Sequence, residues 1–174
     1  MSRDLNKLIV QRRSVKMSRG GAYFKIIFQP SEIVATIHAA LRNPTTTSTV
    51  GCIAWLSHPV ILREIGKKPT AIVVTNDRAN WRKPVREMYK KLRPLEGERR
   101  AIKFVGDRKG MYRCKMHHKF LIGMHNDTPQ WLLFGSFNFS KQATKNLENI
   151  MMIQDPEIAA TYYDEWQRIW NCIA

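Results

Sequence analysis

Residues 70–75 (TAIVVT) form a continuous apolar run, without the polar–apolar alternation of a strand that keeps one wet face. Such a run suits a strand covered on both sides, so helices have to lie on both faces of the sheet that contains it. Residues 51–56 (GCIAWL) read as another buried strand. Residues 23–28 (YFKIIF), after the Gly20-Gly21 break, read as a strand rich in β-branched and aromatic side chains. Pro30-Ser31-Glu32 starts a helix to about Leu41, with Ile33, Ile37 and Leu41 at helical spacing, and residues 43–49 (NPTTTST) read as a polar loop. Residues 59–65 suit a short helix, and the basic stretch 81–93 (WRKPVREMYKKLR) a helix begun near Pro84. Strands follow at about 101–105, 112–122, 131–136 and 148–153, with a polar connection through His125-Asn126-Asp127. A final helix from Pro156 to about Cys172 has Ile158, Tyr162, Trp166, Ile169 and Trp170 on its apolar face. Helices and strands alternate early and strands cluster late, the pattern of an α/β sandwich with a mixed β-sheet flanked by helices. The 174 residues suit one domain, placed at 21–174 after a basic arm at 1–20.

Charge narrows the partners. Lys and Arg number 29 against 14 Asp and Glu, a formal net charge of +15. A positive field of this size concentrates phosphates and releases their counterions on binding, so nucleic acid is the expected partner. Cys52, Cys114 and Cys172 are odd in number, widely spaced and without a CxxC pair, which argues against a disulfide framework or a zinc knuckle. Cys114, His117, His118 and His125 crowd one stretch, but their spacing fits no common zinc pattern. No metal or cofactor is expected. No apolar run approaches the ~20 residues that span a bilayer. The first residues lack the apolar core and cleavage site of a secretory signal, so the default compartment is the cytoplasm, without stable membrane association.

The chemistry is concentrated in three pieces: His117-His118-Lys119, Gly135-Ser136-Phe137-Asn138 and Asn146-Leu147-Glu148-Asn149. On a strand, alternate side chains share a face, so His117 and Lys119 point together and His118 points away. The same alternation pairs Ser136 with Asn138. Glu148 opens the last strand, where a carboxylate can reach a ring nitrogen. Together these groups supply a nucleophile or base, a fixed cation, neutral donors and a carboxylate. That set suits attack on a phosphodiester, whose transition state gathers charge on its equatorial oxygens.

In this order, HHKFLIG, GSFNFS and NLENIMMI closely resemble the phospholipase D superfamily and its His-x-Lys motif, and IAWLSHPVILREI is similar to that family's second strand and following helix. The resemblance implies the phospholipase D-like α/β sandwich. It implies that His117 attacks phosphorus to form a phosphohistidine and that Lys119 and Asn138 hold the non-bridging oxygens. Ser136 would support the phosphate or its loop, and Glu148 would hydrogen-bond the imidazole. Hydrolysis needs a second histidine as acid and base, and this chain holds one motif, so the family's solution, a two-fold homodimer with a shared cleft, is implied. One position departs: the family has Asp five residues after the lysine, and here Met124 stands there. Either Asp127, three residues on in a connection that looks longer than usual, takes over a structural role from a shifted turn, or the role is dispensed with. His125 reads as an exposed loop residue.

Single-motif chains of this size resemble the nuclease branch, and the charge agrees. Candidate substrate contacts are Arg82 and Lys83 on the basic helix and Arg108, Lys109, Arg113 and Lys115 ahead of the motif, with Arg12, Arg13, Lys16 and Arg19 in the arm. The aromatic residues Trp81, Tyr89, Tyr112 and Phe137 are candidates to stack on bases. The expectation is a metal-independent nuclease acting on DNA or RNA. The alternatives are a binding module that has lost turnover, for which Met124 speaks, and a lipid phosphodiesterase, for which no anchor or apolar insertion face is visible.

Overall fold

The computed structural model describes residues 15–19, 21–106 and 115–173. Nine strands among these residues form one mixed sheet, in the order β1-β2-β9-β8-β7-β3-β4-β5, with β6 pairing β4 off that path. The strands are β1 Val15–Arg19, β2 Ala22–Ile27, β3 Ser48–Ile53, β4 Pro69–Thr75, β5 Arg93–Pro94, β6 Ile102–Val105, β7 Lys119–His125, β8 Thr128–Gly135 and β9 Ile150–Gln154. The helices are α1 Pro30–Arg42, α2 Pro59–Ile65, α3 Lys83–Tyr89 and α4 Pro156–Cys172. β3, β4, β5 and β6 are parallel, joined through α2 and α3, while every pairing from β1 across to β3 is antiparallel.

Both faces of the sheet are covered, as the apolar run in β4 demands. Ile72 and Val74 enter a core with Ile33, Ile37 and Leu41 of α1, Ile61, Leu62 and Ile65 of α2 and Val85 and Tyr89 of α3. Ala71 and Val73 enter the opposite core with Ala159, Trp166, Ile169 and Trp170 of α4. Local chemistry sets the helix limits. Each helix opens on proline at its first or second position, where a missing N–H costs nothing. Asp155 caps α4 by accepting from the amides of Glu157 and Ile158.

Several boundaries differ from the sequence expectation. Val15–Arg19, assigned to an arm, pairs in register with β2, so the sheet begins before residue 21. β3 begins at Ser48, inside the expected polar loop, because Thr49 is buried with its hydroxyl 2.9 Å from that of Thr70 on the neighbouring strand. α3 ends at Tyr89, short of residue 93, and the chain turns at once into β5. β7 starts at Lys119, not 112; residues 112–114 lie outside the described residues.

The connection between β7 and β8 is a tight hairpin rather than a long loop. Asn126 and Asp127 take φ of 45° and 66°, the left-handed pair that matches the twist of a two-residue β-hairpin. His125, at the tip, is exposed and its Nδ1 lies 2.7 Å from the Thr45 carbonyl. Along a seven-residue strand at about 3.3 Å per residue, this tip lies roughly 20 Å from the end of β7 that carries Lys119.

Candidate active site

One end of the sheet gathers the motif residues because three antiparallel registers meet there. Lys119 opposes Ile53 at the end of β3, Phe120 opposes Phe134 near the end of β8, and Gly135 opposes Ile150 at the start of β9. The chain entering β7 is tied on both sides of His117: Thr75 Oγ1 donates to the Met116 carbonyl, and the Ala54 amide donates to the His118 carbonyl at 2.9 Å. The expected alternation is present. His117 and Lys119 lie together, Lys119 Nζ being 3.0 Å from His117 Nδ1 and donating to its carbonyl at 2.7 Å. His118 faces the other way, with Nε2 3.4 Å from Glu165 on α4.

Electrostatics set the states of the pair. Desolvation is the largest cause holding the His117 pKa below its ordinary value, and the charges of Lys119, Lys115 and His118 push in the same direction. The ring is therefore neutral near pH 7, the state a nucleophile requires. Lys119 is 8% exposed, and burial lowers its pKa while the Glu148 carboxylate opposes the shift. A buried ammonium beside a neutral ring is a poised anion site, since it has few waters to lose when a phosphate arrives.

The second piece forms a loop over this end of the sheet. Phe137 and Phe139 are buried in the core, which turns the alternating Ser136 and Asn138 outward. Gly135 permits the crossing: a Cβ there would stand 2.3 Å from the Asn149 carbonyl oxygen. Ser136 and Phe137 donate their amides to that same carbonyl. Asn138 is half-buried, and its Oδ1 is buried with no hydrogen-bond partner.

Glu148 does not make its expected contact with the imidazole. Its carboxylate accepts from Ser136 Oγ and, at 3.4 Å, from Asn146 Nδ2, while the ring of His117 meets Lys119. The physical reason is that Glu148 precedes β9, in the turn locked to the Ser136 loop by Asn149, so its short reach goes to that loop first. Its field still acts on Lys119.

Trp55, just past β3 and read from sequence as part of a buried strand, proves to be at the centre. Its ring meets His117 edge to face at 5.2 Å between centroids, and the ammonium groups of Lys115 and Lys119 lie 5.6 and 5.8 Å from the indole centroid. Backbone bonds place it there: Ser57 and His58 donate their amides to the Phe139 carbonyl, lashing the Trp55 loop to the Asn138 loop. Lys115 also pairs with Asp77 at 2.8 Å, and that contact leads the causes holding the Asp77 carboxyl below its usual range. No local pattern marks Trp55 or Asp77, because their roles come from contacts across distant segments.

Beside this group lies a cleft of about 590 Å³, lined by Trp55, Arg82, Asn138, Lys141 and Asn146 among others. Of the expected substrate contacts, Arg82 lines the cleft, Lys83 is exposed at the start of α3, and Lys115 is exposed beside Trp55. Arg108, Lys109 and Arg113 lie outside the described residues, as do Arg12, Arg13 and Tyr112. Lys16 is exposed on the edge strand β1, and Arg19 ends that strand. Trp81 stacks on Phe104 at 4.5 Å, while Tyr89 and Phe137 are core.

Met124 lies in the core beneath α4, 2% exposed, together with Phe120 and Ile122 of its own strand. That is the face opposite the core reached by Leu121, the neighbour that shares the alternation of Lys119. Asp127, at the far hairpin, is too distant to act at the site in its stead.

A family model described as "Cardiolipin synthase, PLD-like domain" matches residues 21–170. The chain belongs to the phospholipase D-like family. This phospholipase D-like chain is 39% identical, over 57 residues, to a "Mitochondrial cardiolipin hydrolase" of Chlamydomonas reinhardtii, a match spanning 32% of the chain and 24% of that relative. Among solved structures, its fold is similar to that of Nuc, a phospholipase D family member from Salmonella typhimurium. The TM-score is 0.65 at 21% identity, covering 88% of this chain and 97% of that one. It is also similar to NucT from Helicobacter pylori, with a TM-score of 0.70 at 16% identity over 88% of this chain and 98% of that one. These likenesses show the phospholipase D-like fold, in a family of phosphodiesterases. Among the described residues, no helix is long and apolar enough to cross a membrane.

Proposed function

We propose that this phospholipase D-like chain is a nuclease that hydrolyses phosphodiesters of DNA or RNA without a metal, through a phosphohistidine on His117, in a cytoplasmic homodimer. The observation that carries the reading is the neutral His117 ring held 3.0 Å from the buried ammonium of Lys119. The net charge of +15 supports a polyanionic substrate. A bound phosphate competes with the ring for the Lys119 ammonium and frees the imidazole to react. Lys119 and the Asn138 amide hold the non-bridging oxygens. An unprotonated ring nitrogen of His117 gives its lone pair to phosphorus, and the P–O bond breaks with its electrons passing to the leaving oxygen. That oxygen takes a proton from the protonated His117 of a second copy. Water then attacks phosphorus, its proton passes to that second imidazole, and the P–N bond breaks to restore the first. Glu148 acts here by keeping Lys119 charged and Ser136 oriented.

The test is cleavage of labelled single- and double-stranded DNA and RNA in excess EDTA by wild type and His117→Ala. Cleavage in EDTA that drops at least ~10⁴-fold in the variant, the scale of losing a nucleophile, is the expected result. Cleavage that stops when EDTA is added removes the metal-independent mechanism. Equal binding without cleavage by either protein leaves a binding module. A lipid phosphodiesterase is the second reading, favoured by the identity shared with the cardiolipin hydrolase; vesicles containing cardiolipin, tested alongside, separate it from the first.

A further inference from the structure

The cleft lined by Trp55 and Asn138 has a composition that the phosphate chemistry alone does not explain. Two cations, Arg82 and Lys141, line it together with the amide or hydroxyl groups of Ser57, Asn138, Ser140, Gln142 and Asn146, and no carboxylate is among its lining residues. Its volume of about 590 Å³ falls in the range of sites that take a small organic group. Trp55 is one of its lining residues, and the surroundings of that indole include His117, Lys115 and Lys119. Trp55 therefore belongs both to the cleft and to the surroundings of His117.

Resting on the nucleic-acid reading above, we infer that this cleft receives one unpaired nucleobase adjoining the cleaved bond. The base stacks on Trp55, Arg82 and Lys141 hold the flanking phosphate, and the side chains of Ser57, Ser140, Gln142 and Asn146 meet the base edge. A base within a duplex has both faces stacked and cannot reach an indole, whereas an unpaired base can, whatever its identity. The enzyme consequently prefers single strands and reads sequence weakly. Trp55 becomes the residue that sets this preference, and it contributes through substrate contact rather than only by bracing His117.

The experiment is a two-by-two comparison on the full chain. Wild type and Trp55→Leu are assayed on a single-stranded oligonucleotide with one cleavable bond and on the same strand made abasic at the nucleotide next to that bond. The neighbouring nucleotide on either side is tested in turn. Stacking predicts that Trp55→Leu lowers kcat/KM on the intact strand by roughly tenfold more than on the abasic strand, chiefly through KM. Trp55→Phe should recover most of that difference. If Trp55 only braces His117, the variant loses the same factor on both strands and the inference is overturned while the nuclease reading stands. If wild type cleaves cardiolipin vesicles or bis(p-nitrophenyl) phosphate but no oligonucleotide, or nothing at all, the inference falls together with that reading.

Discussion

At the residue scale, position rather than residue type is what suits His117 to the nucleophile's role proposed for it. Desolvation first, then the electrostatics of Lys119, Lys115 and His118, hold its pKa below the ordinary imidazole value. Only the neutral ring has a lone pair to give, so on the proposed mechanism cleavage should be lost as pH falls through that lowered pKa. The acidic limb of kcat/KM should lie below 6.5, with the basic limb set by the imidazole that must be protonated; both belong to the coupled pair. Lys119→Met removes a repelling charge, so the His117 titration followed by NMR should move up towards 6.5. The same substitution removes the donor proposed for the transition state and should lower kcat by about 10²–10³-fold. A titration that stays put would show that Lys119 does not act on the ring.

At the element scale, β7 carries two faces with different duties. Its start presents Lys119 to the site, while Phe120, Ile122 and Met124 fill the core beneath α4. From sequence, Met124 looks like a lost motif aspartate and an argument for lost turnover. In the fold it is a packing residue on the opposite side of the sheet. Met124→Asp would restore the motif on paper but place a carboxyl in an apolar core that is 2% exposed there. The expected outcome is destabilisation of at least ~2 kcal/mol in urea unfolding, with no gain in kcat. A variant with unchanged stability and faster cleavage would contradict this assignment.

At the scale of the whole molecule, one motif per chain leaves the proposed hydrolytic cycle short of a second imidazole. If two copies share one cleft, both His117 side chains are needed at each site. Wild type mixed and equilibrated with His117→Ala should then lose activity with the square of the wild-type fraction, whereas independent sites lose it linearly. Light scattering should report twice the chain mass, and activity per chain should fall on dilution as the dimer separates.

Much of the fold was legible because it is written in local periodicity. The spacing of Ile33, Ile37 and Leu41 marks α1, the prolines mark the helix starts, and the continuous run 70–75 marks a strand covered on both faces. The placement of His117 beside Lys119 was legible too, since alternation along a strand brings them together and turns His118 away. Boundaries were less so. Polar residues such as Thr49 join a strand once a hydroxyl on the neighbouring strand satisfies them, and only pairing reveals that. The sequence by itself determined which side chains are available for phosphodiester chemistry and in what order the chain presents them. The tertiary structure alone decided that Trp55 flanks His117, that Glu148 turns to Ser136, and that Met124 packs beneath α4. Periodicity reports which way a side chain points; what it meets there is set by segments up to dozens of residues away.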